Sequence, residues 1–411
     1  MFRFALRASL AFALAILPAA PVLPADDATE KSPARKTASV ALAANLEPFD
    51  LTYVPHPISK IQAITAIRPA AIFAHPAFRK QIGPANDTFL ELSKYLTGAE
   101  ASGPGIEAID SLILCGQVET GPNKDPATMK EKPSQFMVGG RGFVIRTTTS
   151  YDWAATVKKW MPCSRAVYRG RRYLTTPLTG SPFFQMLFER LPAGDQKEAQ
   201  AARMAFFIPD DRTLVVENEE RIKELIDRLA SGKKEPPPPG WEKVNRGILA
   251  LAIDNHDKRW ARSFFPSPPG PYVPFPGWKL FSNANYITIG LEAGPVSRFT
   301  MVAVCPQQLA AREARRANKY VRSFFADACA PHTKKKSDPE AEALSKVMDA
   351  LLLEGNCKPT PLGFEYVGEV RENLLRWLAP VMDRGDHAHR RSAKEFQHKR
   401  YDVQGTSSMK N

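Results

Sequence analysis

A short polar cluster holds the residue types that acid–base or metal chemistry would use. Asp254, His256 and Asp257 follow an apolar run at residues 247–253. Two carboxylates and an imidazole can coordinate a divalent cation or act as a general acid and base. Side chains alternate between the two faces of an extended backbone, so at most Asp254 and His256 share a face. The alternative is a polar turn that caps a helix at residues 258–262, and a single cluster without a partner motif favours this turn.

A proline-rich loop at residues 264–278 is the second candidate site. Aromatic rings on a stiff loop can stack on sugars or bases, or dock a protein partner. The alternative is that the loop folds back and places its rings in the core, because large apolar rings seldom stay exposed. The candidate ligand-binding residues are Phe264, Phe265, Tyr272, Phe275 and Trp278.

The last residues, 383–411, are polar and basic and show no periodic apolar pattern. We predict a disordered tail that contacts an anionic polymer or an envelope component through its positive charge. The alternative is a solvated tail without a specific partner, since short basic runs are common. The cations and histidines of this tail are Arg384, His387, His389, Arg390, Arg391, Lys394, His398, Lys399 and Arg400.

Several common catalytic motifs are missing from the sequence. It contains no His-Glu-x-x-His, no Gly-x-Ser-x-Gly, no phosphate-binding glycine-rich loop and no dinucleotide fingerprint. Their absence argues against the common zinc proteases, serine hydrolases and nucleotide-dependent enzymes. We therefore expect no cofactor and no metal, although an enzyme site assembled from scattered residues would leave no such motif.

The chain has five cysteines, an odd and small number for a disulfide-based scaffold. None lies in a Cys-x-x-Cys pair or near a histidine at metal-ligand spacing. Cys329 and Cys357 are the first candidates for a disulfide, because they flank a charged insert at residues 333–340. Buried free thiols that pack as small apolar groups are an equally good interpretation.

The N-terminal residues 1–25 have the pattern of a secretory signal peptide. Arg3 and Arg7 give a basic start, and residues 8–17 are mostly apolar. Ala25 then offers a small residue at the cleavage position. The apolar run is short for a membrane span, and no later stretch is long and apolar enough for one. We therefore expect an exported soluble protein, periplasmic or secreted. The full sequence has a net charge of +13, and the chain stays basic without Arg3 and Arg7, which suits anionic partners or simply a basic solvated surface.

The clearest structural pattern is a ββα unit at residues 205–230. Two apolar runs flank a proline–aspartate turn, and Asn218 then stands at the N-cap position of a helix. Similar patterns at residues 136–161, 285–325 and 363–381 indicate an internal repeat. The helix of the unit at residues 205–230 also has apolar residues at the spacing of one buried face, namely Ile222, Leu225, Ile226 and Leu229.

Each ββα unit has a one-sided sheet and a one-sided helix, and neighbouring units bury these faces together. The sequence therefore predicts an α+β fold with mainly antiparallel sheets and helices packed on one face, in two domains. One large domain with a continuous sheet is the alternative. In finer detail, we expect a strand at residues 71–73, a turn at residues 139–142 and Ser150 as the cap of the following helix.

The domain boundaries follow from composition. A flexible leader at residues 26–47 precedes the first α+β domain at residues 48–232. Four prolines make residues 233–240 a stiff, proline-rich linker. The second α+β domain then spans residues 241–382, and the disordered basic tail at residues 383–411 completes the chain.

The whole layout of signal peptide, short leader, ββα modules and basic tail resembles exported bacterial proteins of unknown function. The resemblance implies an exported protein and assigns no site residue. We expect a non-catalytic binding or structural protein of the cell envelope. It would act through its surfaces, with the proline–aromatic loop available to a protein partner. The alternative is an envelope hydrolase or metal-binding enzyme with a site near Asp254 and His256.

Overall fold

The computed structural model of the chain describes most of the residues between 46 and 376. The statements that follow concern these residues alone. The described residues are 46–58, 61–81, 86, 103–118, 123–124, 131–132, 138–177, 203–258, 278–329 and 339–376.

Twelve of the strands form one sheet in which every neighbouring pair is antiparallel. The order across the sheet is β13-β14-β12-β11-β10-β1-β2-β5-β9-β8-β7-β6, and β3 pairs with β4 separately. This confirms the predicted α+β class with a mainly antiparallel sheet. The strands are β1 Ala63–Ile67, β2 Ile109–Val118, β3 Asn123–Lys124, β4 Glu131–Lys132, β5 Val138–Thr147, β6 Ser164–Tyr168, β7 Arg171–Pro177, β8 Arg203–Phe207, β9 Thr213–Asn218, β10 Leu249–Asp254, β11 Tyr286–Glu292, β12 Ser297–Val304, β13 Asn356–Thr360 and β14 Gly363–Val370.

The helices pack on the sheet rather than on one another alone. Short 3₁₀ turns lie at Pro76–Gln81, Ile106–Ala108 and Trp241–Lys243. The described α-helices are α1 Pro69–Ala74, α2 Trp153–Trp160, α3 Glu219–Ser231, α4 Trp278–Asn283, α5 Gln308–Cys329 and α6 Pro339–Leu352.

The two halves of the chain meet at the pair β1–β10. Ala63 lies opposite Ile253 and Ile67 lies opposite Leu249 in this antiparallel ladder. The sheet therefore runs without a break from one half to the other. The division of the chain into two domains stays a prediction.

Residues 233–246, which we call the crossing segment, lie on this sheet. The Glu235 carboxylate accepts a hydrogen bond of 2.5 Å from the Ile58 amide. The Pro239 carbonyl accepts one of 2.6 Å from the Thr288 hydroxyl. Trp241 is buried, with its ring centroid 6.4 Å from that of Phe49. The segment with the proline run is thus packed against β11 and against residues 49–58 of the N-terminal segment.

The side chains of the sheet alternate between two faces, as antiparallel strands require. On one, face A, a core cluster lies under α2 in the first half and another lies under α4, α5 and α6 in the second. On the other, face B, Val215 and Ile113 pack with Ile222 and Leu225 of α3. The first half therefore carries helices on both faces, whereas one helical face was predicted.

Helix α3 begins and ends as its sequence predicts. The Asn218 side chain accepts a hydrogen bond of 2.9 Å from the Arg221 amide, which satisfies one free N–H of the first turn. Glu219 and Glu220 place negative charge at the same end. Gly232 ends the helix with a φ of 63°, a left-handed conformation that glycine adopts without strain.

Three local predictions were wrong. The strand expected at residues 71–73 is helix α1, because Pro69 stands at its first position, where a missing N–H costs nothing. The glycine-rich turn expected at residues 139–142 lies inside strand β5, where Arg141 is the extra residue of a bulge between the pairs Gly140–Gly116 and Gly142–Cys115. Asp152, and not Ser150, caps α2 by accepting a hydrogen bond from the Ala155 amide.

Candidate functional site

The polar cluster at the end of β10 is a surface turn built around Asp254. One Asp254 oxygen accepts a hydrogen bond of 3.0 Å from the His256 amide and lies 3.0 Å from the His256 ring nitrogen Nδ1. The His256 ring also packs edge-on against Tyr286, with ring centroids 4.6 Å apart. Burial, followed by the charge of Asp254, raises the pKa of Tyr286. The His256 side chain is 54% exposed.

Two neighbours of the cluster hold the turn to the rest of the protein. Asn255 is fully buried, and its amide nitrogen donates to the carbonyls of Phe281 and Ala284 at the end of α4. Lys258 donates to the Ala284 carbonyl at 2.8 Å, and burial lowers its pKa. These contacts cap a helix end, which is a structural role.

The structure thus brings Asp254 and His256 together with Tyr286. Asp257 is exposed at the following position. Within the described segments, no three histidine, cysteine, aspartate or glutamate side chains gather into a group that could hold a metal ion. The turn offers one carboxylate–imidazole pair with a half-buried carboxylate and an exposed imidazole, and water screens the interaction between them.

The other sequence-predicted sites fall mainly on residues outside the described segments. This holds for the aromatic loop from Phe264 to Phe275, for the basic tail at residues 383–411 and for the signal peptide at residues 1–25. Trp278 begins helix α4, and its side chain lies outside the described residues. The Asn318 amide nitrogen lies 3.9 Å from the Cys357 sulfur. The side chain of Cys329 is not among the described ones, so a Cys329–Cys357 disulfide stays a prediction.

A cleft on face B of the second half is the site that the sequence did not indicate. It occupies about 570 Å³ over strands β12, β13 and β14, which is within the usual size range of small-molecule sites. Thr300 is buried at its floor, while Asn356 and Lys358 of the edge strand β13 are exposed. The lining residues of this face B cleft are Lys243, Arg298, Thr300, Asn356, Lys358, Glu365, Val367 and Glu369.

Both signs of charge lie in the face B cleft. Lys243 forms an ion pair with Glu365, and Arg298 pairs with Glu369 at 2.7 Å. Lys358 stands opposite Glu365 in the β13–β14 ladder but forms no ion pair with any described residue. The cleft therefore presents three cations against two carboxylates, with one ammonium group available to a ligand.

The cleft is open because the crossing segment covers only the inner strands of the second half. A side chain at Gly290 of β11 would meet Val244 of the crossing segment at 2.6 Å, and one at Gly240 would meet Val302 of β12 at 2.9 Å. These close approaches need glycine. Beyond β12 the segment reaches β14 through Lys243, whose ammonium group pairs with Glu365, and the polar residues of β13 line the open cleft.

A second carboxylate–imidazole pair lies on face B of the first half, but it is buried. His56 Nε2 lies 3.0 Å from Glu217 Oε2, and the two side chains are 4% and 6% exposed. Glu217 also accepts a hydrogen bond from the Asn218 amide. Burial, followed by the charge of Glu217, raises the pKa of the Cys115 thiol well above its ordinary range. This pair ties the N-terminal segment to β9, and both of its side chains are buried.

A sequence signal for the face B cleft exists in hindsight. Along β14, the buried Phe364 and Tyr366 alternate with Glu365 and Glu369, which is the pattern of a strand with one solvent face. Strand β13 contains Pro359 and was not predicted, so its Lys358 had no partner strand to which it could be assigned.

Comparisons with known proteins give this chain no relatives. Among the described residues, no helix combines the length and apolar composition that crossing a membrane requires. No family model, no curated protein and no solved structure matches the chain.

Proposed function

We propose that this protein is a non-catalytic binding protein of the cell envelope, exported by residues 1–25, and that the face B cleft is its ligand site. The observation that carries the proposal is a cleft of about 570 Å³ that holds an ammonium group without an ion-pair partner among the described residues. An ammonium group without an ion-pair partner, placed in a concave surface lined by hydrogen-bonding side chains, is suited to bind an anionic ligand.

The lining groups favour one class of ligand. Lys358 and Arg298 attract a carboxylate or a similar anion, because each offers charged N–H donors. The oxygens of Glu365, Glu369 and Asn356 accept hydrogen bonds from hydroxyl or amino groups. We therefore expect a small organic acid that also carries hydroxyl or amino groups, such as a sugar acid or an amino acid.

Isothermal titration calorimetry with gluconate and glutamate tests this proposal on residues 26–411. Lys358→Gln should weaken binding about tenfold or more, since a hydrogen bond to a charged group contributes about 1.5–3 kcal/mol. Lys234→Gln, which removes an exposed cation outside the cleft, is the matched control and should bind as the wild type does. Glucose, which lacks the carboxylate, should not bind. Equal affinities of the two variants, or no binding of either acid, would contradict the proposal.

The second candidate is an envelope hydrolase or metal-binding enzyme that uses Asp254 and His256. It is supported by the 3.0 Å contact between these two side chains and by Tyr286 beside them. Its test is metal analysis of the purified protein together with the stability of His256→Ala. A bound ion that is lost in this variant would favour the enzyme, whereas no ion and an unchanged melting temperature would remove the metal version.

A further inference from the structure

Helix α5 carries a row of cations on its solvent side, which we call the α5 cationic row. Arg312, Arg315, Arg316 and Lys319 are all exposed, and none forms an ion pair with any described residue. Arg315 and Arg316 each lie three or four positions from both Arg312 and Lys319, so the four side chains share one face of the helix. Four positive charges therefore stand along about 10 Å of helix axis.

The orientation of this row is fixed by the opposite side of the helix. Ala310, Ala314, Ala317 and Val321 are buried in the core between α5 and face A of the sheet. The helix cannot rotate without exposing this face. Leu309 and Tyr320 lie at the two ends of the row and are 65% and 41% exposed.

Among the described residues of α4, α5 and α6, the unpaired positive charge lies on a strip one helix wide. Helices α4 and α6 both pack against α5, and their exposed charges are paired. Lys279 of α4 lies 3.8 Å from Glu313, and Lys346 of α6 lies 2.9 Å from Glu342. A broad anionic surface such as a lipid bilayer would press against these carboxylates as well, whereas a single extended chain would follow the strip.

We propose that the α5 cationic row binds a linear phosphate polymer. Three of its four cations are arginines, whose planar forks match phosphate oxygens in pairs. A polymer with one charge on every repeat matches the high charge density of the row. Tyr320 lies at the end of the strip, with its ring centroid 5.2 Å from the Lys319 ammonium. This site lies on the helical side of the sheet and does not depend on the face B cleft.

Fluorescence anisotropy with dye-labelled inorganic polyphosphate tests the proposal on residues 26–411. With four contacts, the wild-type affinity should fall about 50-fold between about 50 mM and 200 mM salt. The triple variant Arg312→Gln/Arg316→Gln/Lys319→Gln should bind more weakly and lose only about threefold over the same range, because a single contact remains. Its gluconate binding should match that of the wild type, which separates this site from the cleft.

The control variant Lys158→Gln/Lys159→Gln/Lys234→Gln removes the same charge from exposed positions elsewhere and should keep the wild-type salt dependence. An equal loss in both triple variants would overturn the proposal, because net charge alone would then explain binding. Loss of binding in a chain that ends at residue 382 would overturn it in favour of the basic tail. Tighter binding to polygalacturonate or to phosphatidylglycerol vesicles than to polyphosphate would overturn the phosphate assignment.

Discussion

The two halves of the sheet place their charged side chains in opposite environments on face B. In the first half, His56 and Glu217 lie under α3 and the N-terminal segment, and almost no water reaches them. In the second half, Arg298 and Glu369 form an ion pair with about half of each side chain exposed. The same sheet thus presents a covered, structural face and an open one that is available to a ligand.

The difference has an energetic consequence. A buried pair depends entirely on its partner, because removal of one member leaves the other polar group without water. An exposed pair loses little, since water and salt replace the lost partner. The open face can therefore exchange its own ion pairs for contacts with a ligand at low cost, whereas the covered face cannot.

Removal of the buried Glu217 carboxylate should destabilise the protein more than removal of an exposed carboxylate. We expect Glu217→Ala to lower the free energy of unfolding by about 1–3 kcal/mol, because His56 Nε2 and the Asn218 amide lose a buried hydrogen-bond partner. Urea unfolding followed by circular dichroism measures this change. The matched variant Glu369→Ala on the open face should cost less than about 1 kcal/mol. Similar losses for both would end the distinction between the two faces.

The cover of the first half is tested by Leu225→Ala in α3. Leu225 is fully buried against face B, so the cavity should cost about 2–5 kcal/mol in the free energy of unfolding. Leu309→Ala on the exposed side of α5 serves as the control and should change stability by less than about 0.5 kcal/mol. A small effect of Leu225→Ala would mean that α3 does not hold this face closed.

The turn at the end of β10 should contain one residue that stabilises the fold, Asn255, and one that does not, His256. Asn255→Ala removes the side-chain donor to the Phe281 carbonyl and one of the two side-chain donors to the Ala284 carbonyl, which should cost about 1–3 kcal/mol in the free energy of unfolding. His256→Ala, at an exposed position, should leave the melting temperature unchanged. If His256→Ala were the more damaging change, the turn would carry more than a helix cap.

Acid should weaken the covered face through Glu219. Burial raises the pKa of Glu219, but the hydrogen bond from Tyr173 and the charge of Lys223 outweigh it and hold the pKa below 4.5. A carboxylate with a lowered pKa contributes stability that is complete above 4.5 and is lost as pH falls through the folded-state pKa. Glu219→Gln should therefore flatten the fall in unfolding free energy below about pH 5. Glu220→Gln, on the exposed side of the same turn, is the control and should leave the fall unchanged.

The smallest effect should come from the open face itself. A double-mutant cycle on Arg298→Ala and Glu369→Ala should give a coupling of about 0.2–1 kcal/mol, which falls as salt is added. Thermal unfolding of the four proteins of the cycle, in low and in high salt, measures the coupling free energy and its dependence on salt. A coupling above about 2 kcal/mol would show a rigid pair that a ligand could not displace.

Local sequence patterns were enough to predict much of the fold. The ββα unit at residues 205–230 was predicted with its cap and its end, because turn chemistry, capping and apolar spacing all agree there. Helix α1 and strand β5 were mispredicted. In the sequence alone, Pro69 indicates a break between strands although it begins a helix, and the glycine run predicts a turn although it pairs with β2.

The face B cleft lay beyond such patterns. The cleft depends on where the crossing segment lies on the sheet. That position is fixed by the close approaches of Gly240 to Val302 and of Gly290 to Val244, which are far apart in the sequence. The polar cluster at Asp254 was visible in the sequence because its members are adjacent. Adjacency showed that Asp254 and His256 could meet, but their exposure and the helix-capping role of Asn255 are results of the fold.

A transverse-relaxation-optimised NMR titration of residues 26–411 with gluconate tests the binding claim most directly. We predict that the amide shifts of β12, β13 and β14 move together and saturate, while those of the Asp254 turn and of face B in the first half stay in place. Shifts confined to residues 254–257 would contradict the account and favour the alternative site. A spectrum without any saturable change would remove the face B cleft as the ligand site.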